Sequence, residues 1–176
     1  MSGETFNILT MSGGGARVVY MARILDLLAR HTGASITDFD LVAMNSASTS
    51  LGMGLSVPDP DNPSRPRYSP ADGVQIAREI TPQILNPRFG RILKGETPCS
   101  TTQMEQILRE TLFGDTRLDA AVTRHLFSIH KNDTPVLMTN FHSAGLVNKT
   151  ETGFTYAGDM PMARASTAAM ALKPWF

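Results

Sequence analysis

Hydrophobic positions in the first third of the chain fall into two kinds of run. A short apolar run from Phe6 to Met11 ends at three glycines and predicts a buried strand. From Arg17 onward apolar residues recur at helical spacing, and Gly33 stands where that helix would end. A second short run, Phe39 to Asn45, predicts another strand, and the small residues after it predict a helix. This order predicts parallel strands joined by a right-handed crossover.

The middle of the chain is less regular. Residues 57–70 contain five prolines, which predicts a surface loop or lid. A helix is expected to resume at 71–80, and 86–98 has the pattern of a loop. Thr102 followed by Glu105 predicts a capping box at the start of a further helix. Gly114 would close that helix.

The last third returns to strand-like and helix-like runs. Three further strands of the same sheet are predicted at residues 125–130, 135–141 and 153–157. The final segment, 162–172, predicts a helix. The whole chain of 176 residues suits a single domain, 1–176, of the α/β class with a mostly parallel central sheet.

Composition narrows the function classes. With 16 basic and 16 acidic residues the chain has no charge excess to attract nucleic acid, so a nucleic-acid partner is not expected. Cys99 is the single cysteine, which excludes an internal disulfide and fits a reducing compartment. The first residues lack a signal-peptide pattern, and no apolar stretch approaches 18 residues. These features predict a soluble, cytoplasmic protein.

The three glycines Gly13, Gly14 and Gly15 form the first candidate site. A strand that runs into glycines and then a helix leaves backbone N–H groups at the positive end of the helix dipole, where an anion is stabilised. The anion could be a phosphate or the oxyanion of an acyl-transfer reaction, and the glycines could also serve only to turn the chain. The spacing is not G-x-G-x-x-G, and no Lys-Ser or Lys-Thr pair follows, which disfavours the phosphate.

The second candidate site is the junction after the second strand. Ser46 lies between that strand and the following helix, which is the arrangement of a nucleophile elbow. Two such junctions on neighbouring parallel strands meet at the carboxyl edge of the sheet. In acyl transfer, an exposed serine serves as the nucleophile and a glycine loop beside it stabilises the oxyanion, so this pair of junctions favours that reaction. The alternative role for this serine is a structural one, the N-cap of the following helix, a position that serine favours.

The sequence resembles the patatin-like phospholipases, in particular their bacterial members. Their G-G-G-x-R-G loop corresponds to SGGGARV from Ser12 to Val18, and their G-x-S-x-G elbow to FDLVAMNSAS from Phe39 to Ser48. Their A-R-A-T-S-A-A-P segment is similar to ARASTAAM, Ala163 to Met170, and the segment STTQMEQILRETLFGDTRL is similar to their helix and F-G-D turn. The order and spacing of the three motifs match over essentially the whole chain.

This resemblance implies a three-layer α/β/α fold and a lipid acyl hydrolase with a Ser-Asp dyad. It implies Ser46 as the nucleophile, an oxyanion hole at Gly13, Gly14, Gly15 and Arg17, and no metal or cofactor. The expected substrate is a lipid or another acyl ester, so peripheral membrane contact is compatible with the resemblance. The oligomeric state is left open.

The elbow departs from the family pattern at its two glycines. Met44 and Ser48 stand in their places, and Met44 is expected to strain or reshape the turn. A second alignment makes Ser48 the nucleophile, but it needs two extra residues after the strand. Ser46 is therefore the favoured nucleophile.

The base of the family's dyad is the other departure. In the family this aspartate lies in a D-G-G or D-G-A turn soon after the A-R-A-T-S-A-A-P segment, and the sequence reaches Phe176 before such a turn. The expectation is an incomplete domain that hydrolyses esters slowly or not at all, with a last helix that exposes apolar surface. Asp159 is predicted to be a turn residue and Asp40 to serve the fold. The four histidines form no evident nucleophile-base pair or zinc signature; they are His31, His125, His130 and His142.

Three functions therefore compete. The first is an acyl hydrolase with serine chemistry. The second is a catalytically inactive, lipid-binding relative. The third is an α/β domain that binds a phosphate or nucleotide at the glycine loop.

Overall fold

A computed structural model describes residues 5–85, 96–97, 99–131, 134–141 and 154–171. Five strands form one sheet in the order β1-β2-β3-β4-β5. Their bounds are β1 Ile8–Met11, β2 Leu41–Asn45, β3 His125–Lys131, β4 Thr134–Thr139 and β5 Phe154–Tyr156. β1, β2 and β3 are parallel, β4 is antiparallel to β3, and β5 is parallel to β4. The predicted mostly parallel α/β sheet is confirmed, as is the parallel pairing of β1 with β2.

Five α-helices are described: α1 Val18–Thr32, α2 Ala47–Gly54, α3 Pro70–Ile84, α4 Thr101–Leu108 and α5 Met162–Met170. A π-helical turn, Arg109–Phe113, continues α4. α1 ends as predicted, because Gly33 adopts a left-handed conformation with φ of 73° that costs glycine little. Gly114, with φ of 57°, likewise ends the turn that follows α4.

The predicted capping box at Thr102 is wrong in its position. α4 begins two residues earlier, and Ser100 is its N-cap, with a hydroxyl that accepts a hydrogen bond from the N–H of Gln103 at 3.3 Å. Thr102 lies in the first turn of the helix. Because the Ser100 hydroxyl accepts a first-turn N–H group that would otherwise have no partner, the helix begins directly after Ser100 rather than after Thr102.

The segment predicted as a surface loop or lid at 57–70 lies between α2 and α3, except that Pro70 is already the first residue of α3. Pro58 and Pro66 face each other in an isolated antiparallel bridge, and the N–H of Arg67 donates to the carbonyl of Val57 at 2.7 Å. Ser69 then caps α3, with Pro70 in the first helical position. Most of the other predicted loop, 86–98, lies outside the described residues.

The two faces of the sheet differ in burial. Met11, Met44 and Phe127 share one face, in register across β1, β2 and β3, and each is at most 6% exposed. Ile8 and Leu137 lie on the other face and are 53% and 36% exposed. The described helices therefore cover the first face more fully than the second.

The expectation that the last helix exposes apolar surface is wrong. Met162 and Ala165 in α5 are fully buried, since α5 packs against α2, α4 and β3. Large exposed apolar residues lie on α1, where Tyr20 is 73% and Ile24 is 63% exposed, as well as at Ile8 and Leu137 of the sheet. None of the described helices is both long and apolar enough to cross a membrane.

His125 is fully buried and makes stability depend on pH. The Ser56 hydroxyl donates to the carbonyl of Gly52 at 2.7 Å, so the Nε2–H of His125 donates to that hydroxyl at 2.9 Å. Within the described residues Nδ1 has no partner. Burial disfavours the charged ring and lowers the pKa of His125 to about 3.

We expect acid to destabilise the protein through His125. Because the folded pKa lies below the ordinary value near 6.5, stability is complete above about pH 6.5 and falls as pH drops toward 3, by roughly 1.4 kcal/mol per pH unit. The hydrogen bond from Arg30 holds the pKa of Asp26 below its ordinary value of 3.8. The stability that this carboxylate contributes is therefore lost only as the pH falls below about that value. Denaturant unfolding at pH 7 and pH 4.5 measures the loss, and His125→Gln should reduce it. Equal losses in both proteins would contradict the assignment.

Candidate active site

Ser46 connects β2 to α2 in an unusual backbone conformation. Its φ of 53° and ψ of −135° make it the one non-glycine residue with positive φ in the described part of the chain. Such a conformation costs of the order of 1–3 kcal/mol and persists only where the surrounding structure holds it. The carbonyl of Ser46 accepts the first helical hydrogen bond, from the N–H of Thr49 at 3.0 Å. Ser46 thus has the sharp strand-to-helix turn of a nucleophile elbow.

The hydroxyl of Ser46 is not used for structure. The residue occupies the N-cap position of α2, yet its side chain makes no capping hydrogen bond. It is half-buried, and no hydrogen bond joins its Oγ to any other described residue. The N-cap alternative therefore describes its position but not the role of its side chain.

Ser48 has the opposite character. It is fully buried, and its Oγ lies 2.8 Å from the carbonyl oxygens of both Met11 and Asn45. The same oxygen accepts the N–H of Asn45 at 3.1 Å. These contacts join α2 to the ends of β1 and β2, so the Ser48 hydroxyl is occupied and enclosed.

Met44 is accommodated without loss of the elbow. Its side chain lies in the core and is 5% exposed. A Cβ on Gly52 would stand 2.1 Å from the sulfur of Met44 and 2.6 Å from the terminal methyl of Met11. Gly52 in α2 thus provides the space that Met44 fills, and Ser46 keeps its strained conformation.

The glycine loop lies directly against Ser46. A Cβ on Gly13 would be 2.8 Å from the Cβ of Ser46 and 3.1 Å from the carbonyl oxygen of Asn45, so only glycine fits there. The N–H of Gly13 donates a short hydrogen bond to the side-chain Oδ1 of Asn45. Asn45 thereby fixes the loop to the elbow. Neither Asn45 nor Gly52 was singled out from the sequence, because only their spatial neighbours give them a role.

The remaining residues of the loop turn the chain into α1. Gly15 has φ of 54° and opens the short helical turn Gly15–Arg17. The carbonyl of Gly14 accepts the N–H of Arg17 at 3.1 Å. No hydrogen bond to a described residue uses the N–H of Gly14 or Gly15. Arg17 is exposed beside the loop.

The other candidate acid-base residues lie in structural positions. Asp159 is exposed and accepts a hydrogen bond from Arg117 at 2.6 Å, in the turn before α5. Asp40 accepts the N–H of Asn7 at 2.7 Å and so joins the starts of β1 and β2. Among the other histidines, His31 lies in the last turn of α1 and His130 lies exposed on β3, while His142 lies outside the described residues. The described residues contain no group of His, Cys, Asp or Glu side chains placed to hold a metal.

Comparisons with known proteins find two similar proteins. The chain is 31% identical to Patatin-17 of Solanum cardiophyllum in an alignment of 152 residues that covers 81% of this chain and 38% of Patatin-17. The structure matches the type III effector protein ExoU with a TM-score of 0.54 and 13% identity, covering 96% of this chain and 40% of that one.

The chain thus spans about two fifths of the length of each of these proteins. No protein-family model matches it. The likeness to ExoU shows the fold, which is the three-layer α/β/α type with a mostly parallel sheet. Together with the similarity to Patatin-17, this fold makes the chain similar to the patatin-like phospholipases.

Proposed function

We propose that this chain carries the nucleophile and the oxyanion loop of a lipid acyl hydrolase, with Ser46 as the nucleophile. The observation that carries the proposal is the strained elbow at Ser46, whose Cβ lies against Gly13 of the glycine loop and whose hydroxyl makes no hydrogen bond to a described residue. Strain at a non-glycine residue with a free nucleophilic group is a mark of a functional site. Ser48, with an enclosed hydroxyl, is the weaker candidate.

In the proposed reaction the Ser46 Oγ attacks the carbonyl carbon of an ester and the carbonyl oxygen becomes an oxyanion. The N–H groups of Gly14 and Gly15 are the donors that no described residue occupies. Gly13 contributes by its small size, because Asn45 holds its N–H. Arg17 supplies a positive charge beside the loop. Loss of the alcohol leaves an acyl group on Ser46, which water then removes.

The reaction needs a base for the serine proton. The resemblance implies an aspartate for this role, but no described carboxylate is hydrogen-bonded to the Ser46 Oγ. A positioned base contributes about 10²–10⁴-fold to the rate. We therefore expect slow turnover where no aspartate completes the dyad, and faster turnover where one does.

The lack of a described carboxylate at the Ser46 Oγ also favours a second candidate, an inactive relative that binds lipid without hydrolysis. The third function, phosphate or nucleotide binding, has less support. Asn45 occupies the N–H of Gly13, which removes one donor from the loop. The spacing of the glycines also lacks the pattern of a phosphate loop.

A covalent probe separates these functions. Incubation with a long-chain alkyl fluorophosphonate should add one probe molecule per chain, detected by intact-mass spectrometry. The adduct should be absent from Ser46→Ala and present in Ser64→Ala, which removes an exposed serine hydroxyl far along the chain.

The outcomes of this labelling differ for each function. Absence of an adduct from a chain that binds lipid vesicles would favour the inactive relative. An adduct that persists in Ser46→Ala would place the nucleophile elsewhere. Binding of a nucleotide, without lipid binding or labelling, would favour the phosphate site.

A further inference from the structure

The glycine loop, Gly13 to Gly15, needs a contact that fixes its position. Three consecutive glycines have great backbone freedom, so their N–H groups keep one direction only where neighbouring groups hold them. The hydrogen bond from the N–H of Arg17 to the carbonyl of Gly14 stays within the segment that leads into α1. The hydrogen bond from the N–H of Gly13 instead crosses to Asn45 at the elbow, 32 residues further along the chain. The position of the loop relative to the elbow therefore depends on this contact.

The backbone of Asn45 is itself held on both sides. Asn45 is the last residue of β2 and lies in register with Ser128 of β3. Its N–H donates to the Ser48 Oγ at 3.1 Å, and its carbonyl oxygen lies 2.8 Å from that same hydroxyl. The side chain of Asn45 therefore starts from a fixed point, directly before Ser46.

The side-chain amide of Asn45 reaches the first glycine of the loop. Because a backbone N–H can only donate, the Oδ1 of Asn45 and not its Nδ2 faces the N–H of Gly13. This Oδ1 lies 3.2 Å from where a Cβ on Gly13 would be. Gly14 and Gly15 follow directly, and their N–H groups are the proposed oxyanion donors. The amide oxygen thus holds the residue from which both donors start.

We propose that Asn45 is a positioning residue for the hydrolysis, because its amide oxygen holds Gly13 where the N–H groups of Gly14 and Gly15 face the developing oxyanion. The proposal rests on the proposed function, since it assumes an ester attacked by Ser46. Asn45 acts through Gly13 and needs no contact with the substrate. Asparagine suits this role, because an aspartate would accept the same hydrogen bond but would place a negative charge beside the oxyanion.

Two substitutions of Asn45 separate the acceptor from the charge. Asn45→Ala removes the acceptor, whereas Asn45→Asp keeps an acceptor of the same shape and adds a negative charge. Asn62→Ala is the matched control, because the Oδ1 of Asn62 also accepts a backbone N–H, that of Ser64 at 3.3 Å, in the segment between α2 and α3. Circular dichroism would establish that each variant is folded under the conditions of the assays.

The first measurement is the labelling of Ser46 by the fluorophosphonate, resolved into the affinity for the probe and the rate constant of the covalent step. We expect Asn45→Ala to lower this rate constant by about tenfold, the scale of one lost hydrogen bond. The affinity should stay near that of the wild type, because the donors act on charge that develops only during the reaction. Asn62→Ala should match the wild type in both quantities.

Salt distinguishes the two variants of Asn45. Asn45→Asp should react slowly in low salt and recover part of its rate in high salt, because ions screen an exposed charge. Asn45→Ala should show no such recovery, since it lacks the acceptor and carries no charge. Equal responses to salt in the two variants would contradict the electrostatic part of the role.

Hydrogen exchange at the Gly13 amide, followed by NMR, tests the contact without any reaction. The wild type, Asn45→Asp and Asn62→Ala should protect this amide, and Asn45→Ala should exchange it about tenfold faster. Unchanged exchange in Asn45→Ala would show that Asn45 does not hold the loop, and would overturn the proposal.

The labelling outcomes separate this proposal from the proposed function. Equal rate constants in Asn45→Ala and the wild type would overturn the positioning role and leave Ser46 as the nucleophile. A faster reaction of Asn45→Ala would also overturn it, because Asn45 would then compete with the oxyanion for the N–H of Gly13. Absence of labelling from the wild type would refute the proposed function, and the positioning role with it, even if exchange showed that Asn45 holds Gly13.

Discussion

Replacement of Ser46 by alanine is expected to lower the rate of ester hydrolysis by roughly 10³-fold or more relative to the wild type. The reason is that the Ser46 hydroxyl is the nucleophile offered by the elbow, and alanine has no group that can form the acyl intermediate. Release of fatty acid or p-nitrophenol measures the loss. The thermal unfolding curve should stay close to that of the wild type, since no described residue depends on the hydroxyl.

Ser48→Ala is the companion variant and should behave differently. It removes a buried hydroxyl that joins α2 to Met11 and Asn45, so we expect a loss of about 1–3 kcal/mol in the free energy of unfolding. Activity should weaken but persist. If Ser46→Ala stayed active and Ser48→Ala lost activity, the nucleophile would move to Ser48. Activity in both variants would exclude serine chemistry at this elbow.

Gly13→Ala should lower the reaction rate by about 10²-fold, the scale expected when reacting groups are displaced by a fraction of an ångström or more. The new methyl would lie 2.8 Å from the Cβ of Ser46 and 3.1 Å from the carbonyl oxygen of Asn45. Because one of these neighbours is backbone, the loop must move away from the elbow. The rate of labelling by the fluorophosphonate reports the change.

Gly33→Ala is the control for this substitution. Gly33 also has a conformation that favours glycine, with φ of 73°, but an added Cβ meets nothing within 4 Å. This variant should lose about 1–2 kcal/mol of stability and keep its labelling rate. Gly13→Ala with a normal labelling rate would show that the glycine loop does not shape the site.

The sequence predicts the central part of this fold well. β1 and β2 appear as short apolar runs, and α1 as a helical pattern that ends at Gly33, because burial and capping leave a local signal. The position of Ser46 between a strand and a helix is also local. Its positive φ, by contrast, could not be derived from residue types alone.

The features that were missed depend on contacts distant in sequence. Asn45 matters because its side chain reaches Gly13, 32 residues earlier. Gly52 matters because it receives the side chain of Met44, which the sequence alone marks only as a departure from the family pattern. The burial of α5 was also mispredicted, because its packing partners in α2, α4 and β3 precede it by many residues.

The most direct test of the central claim is to trap the acyl group of a substrate on the protein. The protein would be mixed with a p-nitrophenyl ester of a long fatty acid, quenched in acid, digested and analysed by mass spectrometry. The account predicts a peptide that carries the acyl mass on Ser46, formed together with the release of p-nitrophenol. Release of p-nitrophenol with the acyl group on Ser48 or on another residue would contradict it.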